Sequence, residues 1–158
     1  SAVRAHQLIR RIATLNTTDF DDNGLIELGS WLANEADTLR SALPKGSEVA
    51  LRSCGKTLLV MIHESLLRDF ILTITANVAN YARKRLTMEM EPGDGGSECS
   101  LRIRFSNSLA GQTPAALPRR SFPDARVLAE LAKGMGGRCS MEDTPGGGLQ
   151  VDLFLPKA

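Results

Sequence analysis

The longest regular pattern of apolar positions lies between Leu67 and Arg83. Apolar residues recur there at the three- and four-residue spacing of one buried helical face: Leu67, Phe70, Ile71, Ile74, Val78 and Tyr81. Asn77 stands one step before Val78, so the pattern places its amide at the margin of that face. A buried amide without a partner costs about 1–3 kcal/mol, and most buried polar groups are satisfied. From the pattern alone, Asn77 is either an amide bonded to backbone or a ligand-binding group.

Shorter patterns predict four elements before this helix. Residues 3–15 predict an amphipathic helix whose apolar face carries Val3, Leu8, Ile9, Ile12 and Leu15. A polar, turn-like segment at 16–24 leads into a second helix, Leu25 to Ser41, which buries Leu28, Trp31, Leu32 and Leu39. Two strands, Glu48 to Ser53 and Thr57 to Ile62, are predicted to join through a tight turn at 54–56.

After the long helix, the pattern predicts a glycine-rich loop at 91–96 and an alternating strand from Glu98 to Phe105. An irregular segment, Ser106 to Phe122, follows that strand. A third helix begins near Pro123, with Ser121 as its N-cap, and ends at the glycines 134–137.

A terminal hairpin is predicted from two short strands, Arg138 to Glu142 and Leu149 to Leu155, joined by a glycine-rich turn. The predicted fold class is α+β: a two-layer sandwich with helices packed on one face of a mixed, mainly antiparallel sheet.

Composition and charge narrow the function classes. The chain has 158 residues, 42% of them hydrophobic, which is enough for one domain with a real core. Nineteen basic residues against eighteen acidic ones give no electrostatic argument for nucleic acid or an anionic membrane. The three cysteines are far apart and form no CxxC pair, which predicts reduced thiols in a cytoplasmic protein. No apolar run approaches the length of a membrane span, and no signal peptide is visible.

The long helix resembles the N box of the catalytic, ATP-binding domain of bacterial sensor histidine kinases, members of the GHKL (Bergerat-fold) ATPase superfamily. That motif reads roughly L-x-x-V-L-x-N-L-L-x-N-A-x-x-Y, and the matching positions here are Leu67, Phe70, Ile71, Ile74, Asn77 and Tyr81. Three further segments are similar to the family in order and spacing. They are the strand and acidic turn at 58–64, the late helix at 127–132 with the glycine pair 136–137, and the closing glycine turn and strand at 146–156.

The resemblance implies a domain spanning 16–158 that binds Mg-ATP. It implies that Asn77 is the magnesium ligand, since magnesium needs one side-chain oxygen besides phosphate oxygens and waters. Thr73 stands one helical turn earlier, where the family often has Asn or Glu. Its hydroxyl can bond to a phosphate or a water, but it cannot act as a general base. This departure argues against self-contained ATP hydrolysis and leaves transfer to a partner histidine open. The resemblance also assigns Tyr81, near the end of this helix, to the nucleotide-binding residues.

The family's adenine-binding pattern, D-x-G-x-G, corresponds to residues 107–111. Asn107 replaces the aspartate and can accept a hydrogen bond through its amide oxygen, although charge-assisted bonds are roughly twice as strong. Gly111 is retained, whereas Leu109 replaces the first glycine and narrows the expected pocket. The alternative is that 107–108 begin an ordinary loop.

The phosphate-binding glycines that precede the family's late helix are absent, and Asp124 stands at the predicted helix start, where it would repel a triphosphate. Arg119 and Arg120 can contact phosphates instead, or they form a solvated basic pair on a loop. His6 and His63 lack the sequence context of a phosphoacceptor and are interpreted as structural.

The expected function is therefore Mg-ATP binding for phosphotransfer to a histidine outside this chain. The partners implied are a histidine-bearing dimerisation domain and a response regulator or another signalling protein. Residues 1–15 are interpreted as a helical lead-in, with the end of the dimerisation hairpin as one interpretation of them. The alternative is a degenerate pseudo-ATPase that acts as a regulatory, docking or phosphotransfer module in two-component signalling. A third option is a serine kinase of the anti-sigma-factor type. Such kinases need the same adenine-binding pattern, so the departures from it at 107–111 count against this option too.

Overall fold

The computed structural model describes residues 23–82, 85–106, 125–144 and 148–158. The predicted helix at 3–15 and the segment 107–122 lie outside them. The described elements follow in the order β1 (Asn23–Glu27), α1 (Leu28–Ala42), β2 (Glu48–Leu51), β3 (Leu59–His63), α2 (Glu64–Ala82), β4 (Thr87–Asp94), β5 (Glu98–Ser106), α3 (Ala125–Gly134), β6 (Arg138–Asp143) and β7 (Leu149–Pro156).

The strands form one large sheet and one small one. The large sheet has the order β2-β4-β5-β7-β6, in which only the β2–β4 pair is parallel. Strands β1 and β3 pair separately as an antiparallel two-stranded sheet. The α+β sandwich with a mixed, mainly antiparallel sheet is therefore confirmed.

The core lies between the helices and one face of the large sheet. The buried residues of β4, β5 and β7 alternate with half-buried or exposed ones along β4 and β5, as expected for a sheet covered on one side. The inward face carries Met88, Met90, Leu101, Ile103, Val151 and Leu153, which are all fully buried. The opposite face is polar, and Arg102 donates to Asp152 over 2.9 Å there.

The predicted hairpin between residues 48–53 and 57–62 is wrong. Both strands exist, but β2 pairs with β4 in the large sheet while β3 pairs with β1 in the small one. A tight turn brings two strands close, yet it does not decide which neighbour supplies their hydrogen bonds.

Two further strands correct the sequence prediction. Residues 23–27 form β1 and not the turn and first turn of helix predicted there, so α1 begins at Leu28. Strand β4 occupies 87–94, where the sequence predicted the end of a helix and then a loop. Pro92 is tolerated because the pairing of β4 with β2 ends at Met90, so its missing N–H removes no bond on that side.

The other predicted elements are confirmed as far as the described residues extend, whereas the predicted N-cap Ser121 and the helix start near Pro123 lie outside them. Helix α2 extends from Glu64 to Ala82 and buries every apolar position of the predicted face whose side chain is described. The predicted hairpin at the end of the chain forms as β6 and β7, and β5 forms as predicted. Trp31 on α1 is half-buried and packs against the core, although it was predicted to be buried. No helix within the described ranges is both long and apolar enough to cross a membrane.

Candidate functional site

Helix α2 presents a polar line beside its buried face. Thr73 and Asn77 lie four residues apart and are both half-buried, whereas their neighbours Ile74 and Val78 are fully buried. Positions four apart on a helix lie one above the other, so the two polar groups share one side of α2. The predicted position of Asn77 at the margin of the core is confirmed. Asp69, also half-buried, continues this line by one turn, and the sequence analysis did not single it out although the same spacing reveals it.

A different residue is the buried, satisfied polar group of this helix. Thr75 is fully buried, and its Oγ1 donates to the carbonyl oxygen of Ile71 over 2.7 Å. This bond to the residue four positions earlier is the usual solution for a threonine inside a helix.

The remaining predicted site residues cannot be placed with these two. Tyr81 lies in the last turn of α2, and its side chain is not among the described ones. Asn107, Gly111, Arg119 and Arg120 lie outside the described residues. They belong to the connection between the end of β5 at Ser106 and the start of α3.

Helix α3 packs beside α2. A Cβ added to Gly134, the last residue of α3, would lie 3.4 Å from Cδ1 of Leu66. The C-terminal end of α3 is therefore next to the first turns of α2. Leu128 and Ala132 are the buried residues through which α3 joins the core.

A charged cluster fixes the N-terminal end of α2 against α1. Arg68 donates to Glu35 of α1 over 2.9 Å and to Glu64 over 2.8 Å, and Nε1 of Trp31 donates to Glu64 over 3.0 Å. The guanidinium also lies 5.9 Å from the centre of the Trp31 ring. The bond to Glu35 raises the pKa of Arg68, so the cation is retained at any accessible pH. This cluster, which the sequence analysis missed, orients the helix that carries Thr73 and Asn77; the four-residue spacing of Glu64 and Arg68 was the available signal.

Two cavities lined by described residues lie away from this polar line. One of about 360 Å³ opens on the polar face of the large sheet, between Arg52, Glu89 and Arg104. Another of about 300 Å³ lies between the start of α1 and the 52–58 segment, next to Cys54. Neither is lined by a residue of α2.

The histidine and the cysteines of the described chain form no metal centre. Among the residues that the structure describes, no group of three or more His, Cys, Asp or Glu side chains is arranged to hold a metal ion. Cys54, Cys99 and Cys139 are free thiols, and burial raises the pKa of Cys99 and of Cys139. His63 ends β3 and is half-buried, while His6 lies outside the described residues.

Asn77 is nevertheless compatible with magnesium. Mg²⁺ prefers oxygen ligands, keeps several of its waters and is usually held by one or two protein groups together with substrate phosphates. A half-buried amide at the edge of the core can direct an oxygen outward, whereas a fully buried one could not. Such a site requires one side-chain oxygen, and the Asn77 amide has one.

The comparisons with known proteins agree on a single fold. No protein-family model and no curated protein matches this sequence. The ATP-binding domain of PrrB from Mycobacterium tuberculosis superposes with a TM-score of 0.68 and 18% identity, over 87% of this chain and 98% of that one. The catalytic domain of the histidine kinase ThkA, in a nucleotide-free form, gives 0.62 and 11% identity over 85% and 95%.

A third solved structure contains a nucleotide analogue. Full-length ShkA in complex with AMPPNP superposes with a TM-score of 0.63 and 15% identity, over 86% of this chain but 31% of that protein. The superposed part is therefore less than a third of ShkA. The chain has the fold of the catalytic, ATP-binding domains of sensor histidine kinases.

Proposed function

We propose that this chain is the nucleotide-binding domain of a two-component sensor histidine kinase, which holds Mg-ATP for phosphotransfer to a histidine outside this chain. The observation that carries the proposal is the half-buried pair Thr73 and Asn77 on one side of α2, in a fold shared with histidine-kinase ATP-binding domains. The edge of a core is within reach of a ligand, and amide and hydroxyl oxygens are groups that bind magnesium and phosphates. The full-length ShkA structure, which contains AMPPNP, supports a nucleotide as the ligand class.

Each residue of the pair has a distinct role. The amide oxygen of Asn77 serves as the protein ligand of magnesium, and the Thr73 hydroxyl donates to a phosphate oxygen or to a metal-bound water. When bound, Mg-ATP supplies the transferable γ-phosphoryl group. Thr73 cannot take a proton from an attacking water, so the residues of this helix favour transfer to a protein acceptor over hydrolysis.

The proposal assigns the other predicted residues to the segment between β5 and α3. Asn107 accepts from the adenine amine, Gly111 lets the backbone approach the base, and Arg119 and Arg120 contact the phosphates. Tyr81 is the third nucleotide-binding residue that the proposal assigns to α2. The partners that follow are a histidine-bearing dimerisation domain and a response regulator in the cytoplasm.

A second candidate rests on the departures in the same segment. Leu109 stands where the family has glycine, and the residues before α3 lack the phosphate-binding glycines. A chain with the kinase fold and no nucleotide would act as a docking, regulatory or phosphotransfer module in two-component signalling. Nucleotide binding separates the two functions.

The deciding measurement is the thermal midpoint of unfolding with ATP, ADP or AMPPNP, each with magnesium and with chelator. A ligand at about a hundred times its dissociation constant adds about 2.7 kcal/mol to the free energy of unfolding. Because each kcal/mol moves a domain of this size by about 2–4 °C, we expect a magnesium-dependent rise of about 5–10 °C. No rise with any nucleotide at millimolar concentration would refute the first candidate and favour the second.

Two variants of α2 make the test specific. Asn77→Ala should remove the magnesium-dependent part of the rise and leave the midpoint of the free protein nearly unchanged. Ala76→Asn is the matched control, because it places the same amide on the exposed neighbouring position of the helix. An Asn77→Ala protein that keeps the full shift would disprove the metal-ligand assignment while leaving nucleotide binding intact.

A further inference from the structure

Helix α3 ends where α2 begins, at one end of the large sheet. Gly134, the last residue of α3, lies beside Leu66 in the first turn of α2. A Cβ on Gly136 would lie 3.7 Å from Cγ of Pro156, so the residues that follow α3 lie beside the last residue of β7. The start of α2 and the end of α3 are therefore neighbours at the C-terminal end of β7.

Helix α2 leads from there to the opposite end of the sheet. After α2 the chain enters β4 at Thr87, which lies opposite Ser106, the last residue of β5. The neighbouring pair of Phe105 and Leu149 places the first residue of β7 at this same end. Because β7 has eight residues, the two ends of the sheet lie about 25 Å apart. Helix α2, with 19 residues, is about 28 Å long and spans that distance.

Helix α3 therefore runs antiparallel to α2. It packs on β6 and β7 and beside α2, and since its last residue lies at the C-terminal end of β7, its earlier residues extend back toward the start of that strand. The ten residues of α3 span about 14 Å. An equal distance along α2 from Leu66 reaches the part of the helix that carries Thr73 and Asn77. The start of α3 thus lies level with the polar pair of α2.

Arg126 lies in the first turn of α3, on the solvent side of the contact between the two helices. The direction toward α2 is that of Gly134, and position 127, two turns earlier, points the same way. Val127 is 47% exposed, so the described residues do not cover this side of the contact. Arg126 is exposed and stands about 100° around the helix from Val127. Its long side chain can reach across the contact toward Thr73 and Asn77.

The chemistry of Arg126 matches a phosphate chain. A guanidinium binds phosphate oxygens through paired N–H donors, and the first turn of a helix adds a partial positive charge. The opposing charges before and along α3 are Asp124 and Glu130. The phosphate-binding glycines that precede the late helix of the resembling family are absent here, so their backbone N–H groups need a replacement.

We propose that Arg126 binds the phosphate chain of the nucleotide across the α2–α3 contact, in place of the backbone N–H groups of the missing glycines. The inference rests on the proposed function, in which Thr73 and Asn77 hold phosphate oxygens and magnesium on the other side. It names the substrate class as a nucleoside polyphosphate bound through charge. Because the contact joins opposite charges at an exposed position, binding weakens as the salt concentration rises.

Titration of ATP into the full chain with magnesium, at low and at high salt, tests this role. We expect Arg126→Gln to weaken binding about tenfold at low salt and to reduce the salt dependence of the dissociation constant, because a charge-assisted contact is lost. Arg126→Lys keeps the charge without the paired donors, so its dissociation constant should lie between the two.

Lys133→Gln is the matched control. It removes the same charge from the same side of α3, about 10 Å nearer the start of α2, and it should change the dissociation constant by less than about twofold. Both side chains are exposed, so neither variant should alter the fold.

The outcomes separate this inference from the function on which it rests. Unchanged ATP affinity in Arg126→Gln, an equal loss in Lys133→Gln, or a salt dependence that survives Arg126→Gln would overturn the role of Arg126 and leave nucleotide binding in place. Failure of the unmodified chain to bind ATP at all would overturn the proposed function, and the role of Arg126 with it.

Discussion

Replacing Gly137 with alanine should destabilise the fold strongly, although it adds a single methyl group. Helix α3 ends in a Schellman motif: the N–H of Gly137 donates to the carbonyl of Ala132 over 2.9 Å, and that of Gly136 donates to Lys133 over 2.9 Å. Immediately afterwards the chain passes against β7. A Cβ on Gly137 would overlap the carbonyl oxygen of Phe154 and would lie 3.1 Å from Cδ2 of Leu155.

The loss in the free energy of unfolding depends on which backbone segment can shift to make room for the methyl group. Phe154 lies in β7, which is paired on one side with β5 and on the other with β6, so its backbone cannot retreat. The end of α3 must shift, with strain of about 1–3 kcal/mol and weakening of one or both Schellman bonds, each worth about 0.5–1.5 kcal/mol. In the opposite direction, alanine lowers the conformational entropy of the unfolded chain, which stabilises the fold by about 0.4–1 kcal/mol. We expect a net loss of about 2–3 kcal/mol in the free energy of unfolding.

Urea unfolding followed by the fluorescence of Trp31, the single tryptophan, measures this loss. Two other glycines serve as controls. Gly24→Ala should be neutral or slightly stabilising, because no heavy atom lies within 4 Å of the added Cβ. Gly136→Ala should cost about 1–2 kcal/mol for its φ of 76° alone. A Gly137→Ala protein within about 1 kcal/mol of Gly24→Ala would refute the steric argument.

Three further predictions concern other parts of the fold. Glu27 caps α1 and accepts a hydrogen bond from the buried N–H of Leu58 over 2.9 Å. Glu27→Ala should therefore lower the thermal midpoint of unfolding by about 5–10 °C. A drop under about 2 °C would contradict this role. Lys157 and neighbouring groups lower the pKa of Asp94 from 3.8 to about 2; its stabilising contribution is therefore complete above about pH 4 and lost as pH falls toward 2. Asp94→Asn should accordingly flatten the acid side of a plot of urea midpoint against pH, and an unchanged slope between pH 4 and 2 would argue against the pair. Thr75→Val should alter the free energy of unfolding by less than about 1 kcal/mol, because the Thr75 hydroxyl donates a second hydrogen bond to a carbonyl that already accepts one within the helix. A larger loss in chemical denaturation would show that the hydroxyl is required.

Much of the candidate site was predictable from local pattern. The spacing that buries Ile74 and Val78 also places Asn77 and Thr73 at the edge of the core, and a helix turns so regularly that sequence position determines angular position. The same regularity places Asp69 one turn before Thr73 on this side of the helix. The cluster of Arg68 with Glu35 could not be predicted from local pattern, because it joins residues 33 positions apart on two helices.

By itself, the sequence determined the elements whose signals are local. The apolar period set α2, the glycines after α3 set its end, and the alternation at 98–105 and the glycine-rich turn after 142 set β5 and the terminal hairpin. Only the tertiary structure decided how strands pair, because a strand's hydrogen bonds are made with residues distant in sequence. The tertiary structure therefore divided β2 and β3 between two sheets and made a strand of residues 23–27, which the sequence predicted as a turn and the start of a helix. It also accommodates Pro92 in β4, where no partner needs its N–H.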